Sequence, residues 1–463
     1  MFFSTSFVFP IITSLIYKDG ALSVFVITFS IVFIVGFIGW LMSSNTDEDM
    51  SHKDGFLVIT LFWVVLSSAG SIPFMLSGMT FIDSFFESMS GITTTGATVI
   101  SNLSALPESL LLYRQLLQWM GGMGLIVLAI AVMPLLGIGG GQIYKTEIPG
   151  AMNDQKLTPR IKETAQALWL IYLLLTVCCA LFYFFAGMNV FDAISHSLST
   201  VSIGGFSTYD QSIGYFNNGM IEAVCIFFML LSALSFTLHY FAFYMKKPFK
   251  YLYDPELRFF ISIMAIIFLL SVLMNYISIQ EQASIRELLF HSVSIVTTTG
   301  FSIGDTNQWS PSIGFLFLIG AFIGACSGSV GGGIKSWRVL IMINYAYINL
   351  KKMIHPNAVI TLKIGTKSVE NDVAASVWGF FSIYVISFII LLLGLVATGL
   401  DFQSAFSAIG ACLNNLGPGL GEVAQTYDSV STVGKGILSF AMILGRLEIF
   451  TLLVLFTPIF WQK

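Results

Sequence analysis

Apolar stretches recur along the chain with short polar breaks between them, and their lengths fall into two classes. One class approaches or exceeds the ~20 residues a helix needs to cross a bilayer. Its members are roughly 2–17, 21–43, 56–78, 109–136, 163–187, 219–245, 257–279, 311–350, 371–399 and 430–460. The other class is too short to span and comprises 81–92, 190–201, 284–296 and 402–413. A short apolar segment lying between two spans predicts a helix that enters the membrane and turns back. After the first pair of spans, the order span, short segment, span recurs four times. The expected architecture is an all-α membrane protein: four pseudo-symmetric helix–re-entrant loop–helix repeats around one pore, behind an N-terminal helix pair. The corresponding boundaries are 1–45 for the pair and 46–145, 146–250, 251–355 and 356–463 for the repeats. The segment 311–350 is too long for one crossing, and Gly328 to Gly333 interrupts it.

The short segments align on a glycine that follows each of them: GITTTGATV around Gly96, TVSIGGFST around Gly205, SIVTTTGFS around Gly300 and CLNNLGPGL around Gly417. Upstream, thirteen residues before each glycine, stand Asp83, Asp192, Glu287 and Ser404, which suit a helix N-terminus by capping or by charge. Ser90, Ser199 and Ser294 recur six residues before the glycine, with Ala411 in the fourth copy, which is the most degenerate. A lone TTTG is an ordinary helix C-cap. Four copies at matching positions, each after a short segment on the same side, exclude that reading.

The chemistry follows from the medium. Each re-entrant helix directs its partially negative C-terminal end toward mid-membrane. The chain then returns as an extended strand rich in Thr, Ser, Asn and Gly. Irregular backbone at that depth is viable only where it lines a water-filled path or is buried in protein. Glycine permits conformations that aim carbonyl oxygens at a common axis. Four such strands make rings of carbonyls able to replace the hydration shell of a monovalent cation. Five residues after the glycines stand Ser101, Asp210, Asp305 and Glu422. The three acids are either a ring that concentrates cations at the outer mouth or ordinary solvated loop acids.

Composition agrees with a polytopic membrane protein: 56% hydrophobic and 10% charged residues, against ~25% charged in soluble domains. The net charge of −4 offers no basic excess for nucleic acid. The distribution of Lys and Arg carries more information than their sum. Lys145, Lys156, Arg160 and Lys162 lie in one connection, Lys246, Lys247, Lys250 and Arg258 in another, and Lys335, Arg338, Lys351, Lys352, Lys363 and Lys367 in a third. The connections that hold the short segments contain one basic residue, Arg286. Positive charge marks the cytoplasmic side, so the re-entrant segments enter from outside and both termini fall inside. Phe2 to Tyr17 lacks a basic leader region and reads as a retained helix. The five cysteines show no metal-ligand spacing and read as packing residues.

These residues resemble the superfamily of bacterial Trk and Ktr potassium transporters and their fungal and plant relatives. The resemblance runs from about Phe56 to the C-terminus and rests on SGITTTGATV, QWMGGMGLIVLAIAVMPLLG, STVSIGGFSTYD, TTTGFS, SGSVGGGIKSWR, LNNLGPGLG and GRLEIF. The helix pair before Phe56 resembles the Trk type. The resemblance implies a selectivity filter at Thr94, Thr95 and Gly96, at Ile203, Gly204 and Gly205, at Thr298, Thr299 and Gly300, and at Asn415, Leu416 and Gly417. It implies potassium rather than sodium, because a glycine stands in all four places where a serine in the first goes with sodium. It further implies uptake across the bacterial inner membrane, a homodimer with one pore per subunit, and a cytosolic nucleotide-binding regulatory subunit, TrkA-like. Potassium is substrate; no cofactor is implied in this chain.

Two further elements carry both a structural and a functional reading. Gly328, Gly331, Gly332 and Gly333 break the second helix of the third repeat, where the resemblance implies an intramembrane gating loop. Gly320, Gly324 and Gly328 also have the spacing of close helix packing. The segment is not a phosphate-binding loop, since Ile334 separates Gly333 from Lys335. Arg446 lies inside the last span, where an unpartnered cation costs ~2.5–3.5 kcal/mol, so it should face the pore or a partner; the resemblance implies an arginine near the gate. Glu448 lies on another face, and Lys435 is near enough to the outer end to snorkel. The competing function, potassium symport coupled to protons or sodium, requires a titratable intramembrane site, for which Glu87, His196, His239, His291 and Glu448 are the candidates. No catalytic triad or dinucleotide fingerprint points to an enzyme.

Overall fold

The computed structural model describes residues 1–43, 52–127, 161–278, 283–304, 309–365 and 367–462. The expected boundaries at 45/46 and 145/146, the outer-mouth candidate Asp305, and the basic residues Lys145, Lys156 and Arg160 lie outside the described residues. The fold is helical, and the one strand pair among the described residues is a two-residue antiparallel hairpin, Lys363–Ile364 with Lys367–Ser368.

Four helix–re-entrant helix–helix units are present. The re-entrant helices are Phe81–Ile92, Val190–Val201, Ile285–Val296 and Phe402–Leu413, each of 12 residues. At 1.5 Å rise per residue such a helix is about 18 Å long, well short of the ~30 Å hydrocarbon core. Each is preceded by a long helix: His52–Leu76, Ile161–Phe185, Pro255–Ile277 and Asn371–Ala397. These pass the length and hydropathy test for a span, and their outer faces expose Leu, Ile, Val and Phe, as lipid contact requires. The N-terminal hairpin, Phe2–Tyr17 and Leu22–Ser43, leans on the first unit. Phe7 and Phe25 pack against Tyr113 with ring centroids at 5.6 and 5.5 Å. Between the two helices Asp19 accepts from Ser109 N and Ala21 N and from the Ser14 hydroxyl. Desolvation opposes its charge, but these donors outweigh it and hold the carboxyl below the usual range.

The fourfold start signal sits three residues upstream of where the sequence alignment put it. The N-caps are Thr80, Asn189, Ser284 and Asp401, and each side chain accepts from the backbone N–H of Asp83, Asp192, Glu287 or Ser404 respectively. Asp83, Asp192, Glu287 and Ser404 are thus third-position residues. In the third unit Glu287 reaches back to the Ser284 N–H and completes a capping box.

The second helices differ from the expectation of single spans at 219–245 and 430–460. Gly219–Ala233 and Phe236–Phe243 meet at 95°, and Thr432–Arg446 and Phe450–Phe456 meet at 111°. In the third unit the break is wider than Gly328 to Gly333: the helix Pro311–Ile323 ends at Gly324, and the next begins at Ser336. No Gly or Pro marks the bend at Leu234 and Ser235. Tertiary hydrogen bonds supply the reason, because Ala233 O accepts from Cys326 N and Phe236 N donates to Gly328 O. At the last bend Glu448 and Ile449 both adopt positive φ, 53° and 58°.

Candidate functional site

Each re-entrant helix ends in the same way. The residue two before the aligned glycine takes a left-handed conformation: Thr94 at φ 55°, Ile203 at 53°, Thr298 at 63° and Asn415 at 51°. The next N–H then reaches back to the helix, from Thr95 to Ser90 O, Gly204 to Ser199 O, Thr299 to Ser294 O and Leu416 to Ala411 O, at 2.8–2.9 Å. This is a Schellman closure built without glycine at its left-handed residue. A β-branched residue such as Ile203 resists positive φ, and strain of ~1–3 kcal/mol held in this way is typical of functional backbone. The glycines follow at φ 84°, 80° and 83° for Gly96, Gly205 and Gly300. Gly417 has no positive φ, because the residue before a proline, here Pro418, is pushed to extended backbone.

The four strands form a ring in chain order. A β-carbon built on Gly96 would lie 2.1 Å from Gly204 O, one on Gly205 2.0 Å from Thr299 O, one on Gly300 3.1 Å from Gly417 N, and one on Gly417 2.6 Å from Gly96 O. Each glycine therefore admits the backbone of the next strand. All four also line one cavity of about 780 Å³. Asp210 lines it and accepts from Leu103 N of the first unit at 3.0 Å. Glu422 is exposed and stands outside that lining.

Side chains from neighbouring elements brace the strands, and the sequence did not single out Gln118, Arg114, Tyr384 or Tyr427 among them. Gln118, on the first unit's second helix Glu108–Val127, donates to Gly204 O at 2.6 Å and accepts from Phe206 N and the Ser199 hydroxyl. Arg114, one turn earlier, pairs with Glu87 at 2.8 Å and donates to Ser207 O and the Thr98 hydroxyl. Both partners of that pair are fully buried. Asn415 donates to the Thr95 hydroxyl, Tyr427 to Gly417 O and Tyr384 to Asn414 Oδ1. For Gln118 and Arg114 the signal lay in polar residues within an apolar helix, which are costly unless partnered. Gln118→Leu strands Gly204 O, Phe206 N and the Ser199 hydroxyl. It is expected to destabilise the protein on the order of 3 kcal/mol, seen as a lower unfolding midpoint in detergent than that of wild type.

Against the ends of the re-entrant helices, next to the ring, lies the interrupted segment Gly324 to Lys335. Gly332 N donates to the Thr298 hydroxyl at 2.7 Å, and a β-carbon on Gly332 would lie 1.9 Å from Asn414 O. Val330 reaches the first unit, with its methyl 2.9 Å from a β-carbon built on Gly122. Gly328 and Gly333 have positive φ, 70° and 82°, and Gly331 packs under Thr297 O. Arg446 is 3% exposed and bridges the same gap, donating to Val330 O at 2.9 Å and Gly121 O at 3.1 Å. Two basic residues depart from their expected settings. Lys335 is buried and donates to Gly331 O, because the loop's carbonyls wrap its ammonium. Lys435 does not snorkel; it is 6% exposed and pairs with Asp83 at 2.7 Å, joining the last helix to the first re-entrant helix. Glu448 pairs with Arg338 rather than Arg446.

Of the titratable candidates, Glu87 is in its ion pair. His196 bonds Asp192 O and the Ser207 hydroxyl, and His239 bonds the Tyr251 hydroxyl and Leu231 O. His291 bonds Glu287 O through Nδ1, and its Nε2 is buried without a partner. Among the described residues no group of three or more His, Cys, Asp or Glu is arranged to hold a metal ion.

Comparison with known proteins is consistent along the whole chain. The TrkH family model, described as cation transport protein, matches residues 21–463. The Trk system potassium uptake protein TrkH of Halomonas elongata is 49% identical, covering 100% of this chain and 97% of its own. TrkH of Escherichia coli K12 is 45% identical over 100% of this chain and 97% of its own. The crystal structure of the potassium transporter TrkH from Vibrio parahaemolyticus superposes with a TM-score of 0.91 at 46% identity, covering 100% of this chain and 97% of that one.

Proposed function

The chain belongs to the TrkH family of cation transport proteins, and on that premise we propose that it takes up potassium through a gated, channel-like pore in a bacterial inner membrane. The observation that carries the reading is the ring of four strands, in which each glycine admits its neighbour's backbone. The return strands Thr94, Thr95 and Gly96, Ile203, Gly204 and Gly205, Thr298, Thr299 and Gly300, and Asn415, Leu416 and Gly417 supply the ligands in this reading, through the carbonyl oxygens that Gln118 and Tyr427 do not hold. They exchange water for carbonyl around each ion. The helix ends behind them contribute negative potential, and Asp210, with Asp305 and Glu422, draws cations to the outer mouth. The membrane potential drives entry at ~2.3 kcal/mol per charge per 100 mV.

The gate in this reading is the loop with Gly328, Gly331, Gly332 and Gly333, closed onto Arg446. A guanidinium with two carbonyl partners repels a cation arriving from the ring and staples the loop to the first unit. Uncoupled conduction is favoured over symport because four of the five titratable candidates, Glu87, His196, His239 and Glu448, are each engaged by a neighbour, which leaves His291, with its unpartnered Nε2, as the one site a coupled mechanism could use. A homodimer, cytoplasmic termini and a TrkA-like nucleotide-binding partner complete the proposal. The basic connection 246–258 and the one from Lys351 onward face the cytoplasm by the positive-inside rule.

The test is cation flux into liposomes holding the purified protein, with and without a proton gradient. Uncoupled conduction gives potassium flux that follows the potassium gradient alone; a requirement for protons or sodium overturns it. In the same assay Arg446→Ala is expected to raise basal flux about tenfold, since one or more charge-assisted hydrogen bonds across the gap are lost. Basal flux equal to wild type would remove Arg446 from the gate.

A further inference from the structure

The loop next to the ring is held by several elements, and two of its anchors originate in one short stretch at the cytoplasmic end of the third unit. Glu256, in the first turn of Pro255–Ile277, is 4% exposed, and its Oε1 accepts from Ser327 N at 2.5 Å. Five residues earlier, the Tyr251 hydroxyl donates to His239 Nδ1 at 2.6 Å, and His239 Nε2–H donates to Leu231 O at 2.8 Å. That carbonyl belongs to the helix end at the 95° bend. The bend in turn grips the loop on both sides of Ser327, through Cys326 N to Ala233 O at 3.1 Å and Phe236 N to Gly328 O at 3.0 Å. Residues 251–256 therefore reach the same three loop residues by two routes, one direct and one through the bend.

A buried carboxyl group satisfied by a backbone N–H is a costly way to make a contact that an amide could also make. Its position is informative: it stands one turn beyond the basic connection Lys246 to Tyr253, the part of the chain a cytoplasmic partner can touch. We propose that Glu256 is the positioning residue that latches the intramembrane loop, with the 246–256 connection as the lever that releases it. Pulling this connection outward withdraws Glu256 from Ser327 N and, through Tyr251 and His239, strains the bend that holds Cys326 and Gly328. The loop then loses its anchors on that side while Thr298 and Arg446 still hold Gly332 and Val330. This inference rests on the loop being the gate of the proposed pore.

The loop carries its own reporter. Cys326, next to Ser327, is a free thiol 1% exposed, and Cys179 and Cys412 are free and fully buried elsewhere. The experiment treats the full chain in liposomes with a hydrophilic maleimide, maps the labelled cysteine by peptide mass, and measures basal potassium flux alongside. Glu256→Ala is expected to label Cys326 about tenfold faster, the population shift that loss of one buried hydrogen bond produces, and to raise basal flux in parallel. Glu256→Gln, which keeps an oxygen acceptor, should restore wild-type labelling. Unchanged labelling in Glu256→Ala overturns the latch, and so does a Glu256→Gln chain as loose as Glu256→Ala. Equal labelling of Cys412 and Cys179 also overturns it, because Glu256 would then support the whole fold. If wild type carries no potassium while Cys326 still responds to Glu256→Ala, the conduction reading fails and the latch stands.

Discussion

A Gly96→Ser chain is expected to lose most of its preference for potassium over sodium while remaining folded. The added β-carbon would lie 2.1 Å from Gly204 O, at a residue whose φ of 84° already disfavours any side chain. Gly204 O has little freedom to withdraw, because Gln118 Nε2 holds it at 2.6 Å. The first strand must therefore shift, and the oxygens that face a desolvated ion lose their common spacing. Strain of ~1–2 kcal/mol placed on one strand is enough to reduce an ion preference about tenfold, since each 1.4 kcal/mol is a factor of ten. Sodium and potassium permeabilities measured in the same liposomes check this. An unchanged ratio would show that the ring does not set ion preference.

The largest effect on stability is expected from Glu87→Ala. The Arg114 guanidinium would be left buried, 1% exposed, with its remaining bonds to Ser207 O and the Thr98 hydroxyl but no counter-charge. Breaking a buried pair from one side costs ~3–5 kcal/mol, far more than replacing both members. Arg114→Leu combined with Glu87→Leu should therefore recover part of the loss. A double-mutant cycle on thermal unfolding in detergent measures the coupling. Additive effects of the two single changes would mean that the pair contributes nothing as a pair. Flux should fall with stability, because Glu87 also accepts from Val99 N on the first return strand.

Much of this architecture is written in hydrophobic spacing. Segment lengths separate spanning from re-entrant helices, and the recurrence of Gly96, Gly205, Gly300 and Gly417 aligns the units without knowledge of their contacts. The capping signal was visible but misplaced. Asp83, Asp192 and Glu287 are attractive as caps by charge, yet the side-chain acceptors three residues earlier do the capping. The bends at Ala233–Phe236 and Arg446–Phe450 could not be read locally, since no helix-breaking residue is present. The first exists because Cys326 and Gly328 satisfy the freed backbone groups, whereas at the second Leu447, Glu448 and Ile449 bond back to Ile443, Gly445 and Leu444 O of the same chain turn. Gln118 and Arg114 escaped for the same reason as the first bend, since each serves a strand of another unit, while Tyr427 reaches back from a loop to Gly417 O of its own return strand. Charge placed Lys335 in a cytoplasmic loop and Lys435 at an interface. Loop carbonyls and Asp83, both distant in sequence, draw them inward instead.

The closing seam of the ring has a consequence for how the protein is made. Gly417 abuts Gly96, Asn415 donates to Thr95, Tyr427 N donates to Thr98 O at 2.8 Å, and Lys435 pairs with Asp83. The first return strand thus waits for partners that leave the ribosome only after two further units and the start of the fourth have been made. Until then its unpaired backbone groups, held at membrane depth, remain a liability. A nascent chain stalled before Asn415 would carry an open cleft from the first unit to the third, a natural target for membrane quality control. Completion of the seam is the moment at which the chain becomes a closed assembly.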